Sequence, residues 1–261
     1  MAVIDCIVYN RESELFDLRY NILKDYVDEF IVVEFDKTFS GKAKQFYFDE
    51  LIGKYEKVKF YQKTDWGIMG YEKYRELAEF SPNTVGAEHW KREFAMKESI
   101  KDCLTHLKDD DIVFVSDCDE IWNPESFIGN YLGGELVKLK LKVYSYWLNN
   151  RSDEQFWGTI VGKYKLIKYK CLNHLRTNTK KTEIDYGWHF TSMGGYEKVR
   201  QKLEDSYTKE TYASDVILDN LEGNIAENKD FLGRNYTYWI DESNWPQYLK
   251  DNKQKYLHLC K

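Results

Sequence analysis

A chain of 261 residues, 43% hydrophobic and 31% charged, is long enough to bury on the order of three quarters of its unfolded surface in one or two cores. Aromatic side chains reach 16% and prolines number only 3, which excludes a disordered or low-complexity chain. A net charge of −6 and a pI near 5.5 argue against nucleic acid as a partner, because phosphates call for a basic surface.

The first 120 residues alternate strand and helix. An apolar run over 3–9 reads as a buried strand. Over 14–27, Leu15, Leu18, Ile22, Leu23, Tyr26 and Val27 form one helical stripe. A second strand over 30–33 ends at Glu34, 45–55 has a helical pattern, and 58–61 is a third strand. After a looser stretch over 64–86, a long helix is expected over 89–107. Asp109, Asp110 and Asp111 then turn the chain into the plainest buried strand, 112–115.

Strands separated by helices imply parallel pairing and right-handed crossovers, hence an α/β fold with a mostly parallel central sheet. Ligands in such sheets sit beyond the carboxyl ends of the strands, where Glu34 and Asp117 stand.

Beyond residue 122 the pattern changes to a mixed half. Residues 136–143 alternate Val137, Leu139, Leu141 and Val143 with Lys138, Lys140 and Lys142. That is a half-buried strand whose lysines keep one face wet. Further strands are expected over 162–169 and 184–190, and Tyr196, Val199, Leu203 and Tyr207 mark an amphipathic helix. No repeat or long linker divides the chain, so it is read as a single domain. Its two halves, different in pattern, span about 1–122 and about 123–261.

No apolar run is long enough to cross a bilayer, and the first ten residues lack the pattern of a signal peptide. The cysteines (Cys6, Cys103, Cys118, Cys171, Cys260) are scattered and odd in number, which is neither a disulfide framework nor a zinc site. A cytoplasmic protein is therefore expected, and the sequons at Asn150 and Asn235 are read as chance matches. Oligomeric state is not legible.

The strongest chemical feature is Ser116-Asp117-Cys118-Asp119-Glu120. A spacing of two puts Asp117 and Asp119 on one side of an extended chain as it leaves the sheet. Such an oxygen-rich cup suits a hard divalent cation held by one or two carboxylates and otherwise by phosphate oxygens. A solvated loop would carry the same tripeptide.

Tyr186-Gly187-Trp188-His189-Phe190 is the second feature. Its glycine suggests a packed crossing or a close backbone approach, and His189 is either a ligand to the same cation or a hydrogen-bonded core residue. The third is the small, polar and basic stretch 34–44. It suits a phosphate contact but lacks P-loop spacing. No GxSxG, HExxH, dinucleotide fingerprint or kinase set is present.

Taken together, these blocks resemble glycosyltransferase family 17. The resemblance is carried by residues 14–19, 27–34, 38–44, 109–121 and 187–189, in that order. It implies a GT-A-like fold, inverting transfer from a UDP-sugar, with N-acetylglucosamine considered first, and a divalent metal, Mn²⁺ or Mg²⁺. It places Asp117, Asp119 and His189 at the metal, with Asp117 also on the diphosphate. Arg19, Glu34, Thr38, Lys44 and Arg92 become candidate donor-site residues.

An inverting enzyme needs a base at the acceptor hydroxyl. Glu183 and Asp185 are the candidates, with Asp153 and Glu154 on an exposed loop as alternatives. Trp147, Trp157, Trp188 and Tyr186 are candidate groove residues for a carbohydrate acceptor. A catalytically silent nucleotide- or glycan-binding relative, or a transferase acting on modified nucleic acid, stays open beside this reading.

Overall fold

The computed structural model describes residues 1–64, 88–130, 135–207, 209 and 211–261. The expected loose stretch over 64–86 lies outside the described residues beyond Thr64. The first strands are β1 (Val3–Val8), β2 (Glu29–Phe35), β3 (Val58–Lys63) and β4 (Ile112–Asp117). The others are β5 (Glu120–Trp122), β6 (Val137–Ser145), β7 (Asn150–Lys163), β8 (Lys180–Thr191) and β9 (Tyr238–Ile240). The helices are α1 (Ser13–Leu23), α2 (Glu88–Glu98), α3 (Pro124–Asn130), α4 (Tyr164–Ile167), α5 (Leu172–Asn178), α6 (Gly195–Ser206), α7 (Asp215–Ala226) and α8 (Gln247–Asp251).

All these strands belong to one sheet in the order β3-β2-β1-β4-β7-β6-β8-β5, with β9 added to β7. β1 pairs in parallel with β2 and β4, and β2 with β3. β1, β2 and β4 are mostly apolar because both of their faces are covered, whereas the edge strand β3 is partly exposed. Ile7, Val32 and Phe114 meet Leu15, Phe16, Leu18 and Ile22 of α1 on one side. Cys6, Val8, Ile31, Val33, Val113 and Val115 meet Met96, Ile100, Leu172 and Leu175 on the other. The parallel, doubly covered sheet read from the first half is what forms.

From β4 onward pairing is mixed, as expected of the second half. β4–β7, β6–β7, β5–β8 and β7–β9 run antiparallel and β6–β8 runs parallel. Here the local expectations need correcting. The long strand β7 runs through Asp153 and Glu154, so they are not on a loop. Asp153 accepts from the Thr237 amide at 2.9 Å and Glu154 pairs with Arg234 at 3.1 Å. Residues 164–167, expected as strand, form α4.

The helical pattern over 45–55 condenses to one 3₁₀ turn, Tyr47–Leu51, and the helix expected over 89–107 ends at Glu98 before a second such turn. The lysines of β6 form only a partly wet face, with Lys140 and Lys142 half-exposed. Lys138 is buried, donates to the Arg176 carbonyl, and has its amine pushed down to about 8 by burial. Lys142 donates to Asn244 Oδ1 at 3.1 Å.

Candidate active site

Beyond the carboxyl ends of β1 and β4 lies a cavity of about 760 Å³, where open α/β sheets bind their ligands. Its floor is the β1–α1 connection (Asn10, Arg11, Glu12) and the turn from β4 to β5. Its walls are α2, α5, α6 and the strand β8.

The Asp-x-Asp geometry differs from the extended chain expected. β4 ends at Asp117, the chain turns through Cys118 and Asp119, and β5 starts at Glu120. Cys118 packs into the core while both aspartates line the cavity. The β5–β8 pairing sets Glu120 opposite His189 and thereby brings the imidazole to Asp119. That pairing needs Gly187: a Cβ there would stand 2.2 Å from the Ile121 carbonyl oxygen, the packed crossing that the flanking aromatics suggested. His189 Nε2 is 3.6 Å from Asp119 Oδ1, its ring stacks on Phe156 at 4.0 Å, and its Nδ1 is buried without a hydrogen-bond partner. Asp117, Asp119 and His189 thus converge on one cavity.

Both aspartates already have cationic partners. Asp117 binds Lys97 Nζ at 3.0 Å and Arg176 Nη2 at 3.1 Å. Burial pushes its carboxyl up, but Arg176 and Lys97 outweigh that and hold it at about 2. Asp119 is buried and binds Lys202 Nζ at 2.6 Å. Against the upward push of burial, Lys202 and His189 hold its carboxyl far below the ordinary range. Behind the turn, Glu120 is fully buried and holds Arg176 at 2.8 Å. Gly158 of β7 makes room, since a Cβ there would lie 2.4 Å from the Glu120 carboxyl.

The other expected donor-site residues serve elsewhere. Arg19 is fully buried, doubly bonded to Asp5 at 2.6 Å, and donates to the Asp117 and Glu120 carbonyls at 3.2 and 2.7 Å. Glu34 is buried, pairs with Lys44, and accepts the Tyr47 and Phe48 amides at 2.9 Å. Thr38 is buried and accepts the Lys42 amide at 3.1 Å within its own turn. Arg92 donates to the Phe39 carbonyl at 3.0 Å and packs against Gly41. Arg19 thereby holds the backbone of the turn beneath the cavity, and among these residues none lines it.

Glu183 and Asp185 lie on β8 away from the cavity lining, Asp185 being 3.9 Å from Lys140 Nζ. Of the aromatic candidates Trp157 lines the cavity. Trp188 is buried and donates to the Asn244 carbonyl at 2.6 Å, Trp147 packs against the small core between α6 and α7, and Tyr186 packs near Phe127.

Sequence reasoning missed Lys97, Arg176, Lys202 and Glu12. One signal was available. On α6, Lys198, Gln201, Lys202, Asp205 and Ser206 recur at helical spacing beside Val199 and Leu203, and that polar stripe lines the cavity.

The family model described as Glycosyltransferase family 17 matches residues 1–200. The chain belongs to that family. No curated protein matches this chain. Among solved structures, HddC from Yersinia pseudotuberculosis is 14% identical, covering 73% of this chain and 91% of its own, at a TM-score of 0.37. The galactosyltransferase LgtC, solved with donor and acceptor sugar analogues, is 11% identical over 66% of this chain and 62% of its own, at 0.34. Mouse xyloside xylosyltransferase 1 is 8% identical over 53% and 52%, at 0.27. The assignment to glycosyltransferases rests on the family match. Among the described residues no helix is long and apolar enough to cross a membrane.

Proposed function

We propose that this family 17 glycosyltransferase moves a sugar, N-acetylglucosamine being the first to try, from a UDP-sugar to a carbohydrate acceptor with inversion, on a GT-A-like fold. The observation that carries the proposal is the convergence of Asp117, Asp119 and His189 on one cavity at the carboxyl ends of β1 and β4. Five cationic and six acidic side chains line that cavity, so it does not attract a dianionic diphosphate by charge alone.

A divalent cation, Mn²⁺ or Mg²⁺, fits this donor set in a limited sense. Among the described residues no group of three or more His, Cys, Asp or Glu is arranged to hold a metal ion. A hard cation that arrives with phosphates needs only one or two carboxylates. Asp119 Oδ1, with His189 Nε2 facing it, is the pair that would hold it, beside Asp117. When bound it would neutralise charge on the departing diphosphate.

The acceptor hydroxyl needs a base, and the cavity's acids can be sorted by what already occupies them. Glu93 is taken by Lys97, Asp205 by Arg11 and Gln201, and Glu14 by Lys198 and His258. Glu12 has no ion pair among the described residues and accepts only the Asn10 amide, at 3.3 Å. Burial, against the pull of Lys202 and with repulsion from Asp119, raises its carboxyl to about 8, a value suited to proton transfer near neutral pH. We therefore assign the base to Glu12 ahead of Glu183 and Asp185, which do not line the cavity.

The test is release of UDP from a panel of UDP-sugars by the purified protein with Mn²⁺, with and without a glycan panel. Release that depends on the metal and increases with one acceptor is expected. No release from any donor, together with undiminished UDP binding, would replace this reading with that of a silent nucleotide binder.

A further inference from the structure

Three cations from three helices meet the acidic turn: Lys97 of α2, Arg176 of α5 and Lys202 of α6. They are not equivalent. Arg176 is anchored from behind by the fully buried Glu120, which also accepts from Thr159 Oγ1 at 3.3 Å. Lys97 is anchored by Glu93 at 2.6 Å, and its side chain is 6% exposed. Neither loses its place if Asp117 is taken away. Each also keeps donors to spare, since a guanidinium carries five N–H groups and an ammonium three. Lys202 has Asp119 as its one carboxylate partner among the described residues, and its side chain is 37% exposed. It can leave.

We propose that Lys97 and Arg176 are a fixed clamp for the donor's diphosphate, and that Lys202 is a stand-in counter-ion that gives up Asp119 when donor and cation enter. This rests on the nucleotide-sugar reading and deepens it. In the structure the clamp closes on Asp117. With donor bound, phosphate oxygens take the spare N–H groups, and charge-assisted bonds of this kind are the strong ones. Asp117 thereby becomes a positioning residue that keeps the two cations side by side.

The experiment is a titration of the intact protein, with and without Mn²⁺, using UDP, inorganic pyrophosphate and uridine as probes. Tryptophan fluorescence reports binding, because Trp90 and Trp157 line the cavity. The variants are Lys97→Gln, Lys202→Gln and the paired Glu120→Gln/Arg176→Gln, which avoids leaving Glu120 buried and unpaired. Lys97→Gln and the pair are expected to weaken UDP and pyrophosphate by about tenfold or more each, with or without metal, while uridine is unchanged. Lys202→Gln is expected to keep UDP affinity and to raise the benefit of Mn²⁺.

If the wild type binds UDP more tightly than uridine but the clamp variants stay within about twofold of it, the clamp is wrong and the nucleotide-sugar reading stands. UDP binding no tighter than uridine has the same meaning. A wild type that binds none of the three probes removes both. Should Lys97→Gln fail to fold, the paired variant decides alone, and circular dichroism identifies that case.

Discussion

Two arginines, Arg19 buried and Arg176 half-buried, flank the same acidic turn and teach opposite lessons. Arg19, on α1, uses its whole guanidinium inward: both oxygens of Asp5, Ser116 Oγ at 2.6 Å, and the carbonyls of Asp117 and Glu120. Trp122 Nε1 closes the cluster on Asp5 at 3.1 Å. Nothing is left for a ligand. Arg176, on α5, is held by Glu120 from behind and by Asp117 at the cavity's edge, with its side chain 18% exposed. One arginine fixes the backbone of the turn, and the other faces what the turn binds.

The sharpest way to break this contrast is to remove the closed arginine. Arg19→Met leaves the Asp5 carboxylate buried without its partner, which costs about 3–5 kcal/mol. Urea denaturation should show a loss of that size, and adding Asp5→Asn should recover part of it. A loss below about 1 kcal/mol would mean that Arg19 is not the structural member of the two.

The second largest effect belongs to the open side. Asp119→Asn should reduce UDP affinity in Mn²⁺ to its metal-free level, while the freed and partly exposed Lys202 turns to solvent. The melting temperature should fall much less than in the Arg19 variant. Metal-dependent affinity that survives Asp119→Asn would move the cation site away from this turn.

This contrast also shows how much the sequence disclosed. The parallel strands β1, β2 and β4 are legible because burial on both faces leaves mostly apolar runs, and the position of Asp117 follows from the end of one. The resemblance to family 17 drew attention to Arg19 and Glu34, which the structure places outside the cavity lining. What it did not distinguish is contact with a ligand from support of the residues that make contact. A buried ion pair such as Arg19–Asp5 joins positions 14 residues apart, and no local pattern marks which way it faces. Lys97, Arg176 and Lys202 reach the cavity from three separate helices, so their proximity exists only after the mixed half has folded. That half is where β7 and α4 escaped the periodicity argument: β7 runs Asn-Arg-Ser-Asp-Glu-Gln before its apolar end, a polar edge that reads as loop.

A smaller effect tests the cavity floor through pH. Glu12 has its carboxyl raised to about 8, against about 4.3 in an unfolded chain. The folded state therefore holds a proton that the unfolded state releases, and this contribution is complete below about pH 4.3 and lost as pH rises through about 8. Glu12→Gln should gain melting temperature relative to the wild type across that window, with a constant difference on either side of it. Its transfer rate should also lose the rise toward about pH 8 that the ionised base confers. A melting-temperature gap independent of pH would contradict the raised carboxyl.

The smallest effect is expected on the outer part of β8. Glu183 and Asp185 sit in the same strand as His189, but they do not line the cavity, and Asp185 only approaches Lys140 at 3.9 Å. An ion pair of that length at a partly exposed site contributes about 0–1 kcal/mol. Glu183→Gln and Asp185→Asn should each stay within about 0.5 kcal/mol of the wild type in stability, as surface substitutions usually do, and transfer rates should be unaffected. A loss of rate in Asp185→Asn with KM unchanged would put an acceptor hydroxyl on the β8 side of Trp157 and transfer the base from Glu12 to that strand. The comparison of these two single variants therefore decides from which side the acceptor approaches the turn.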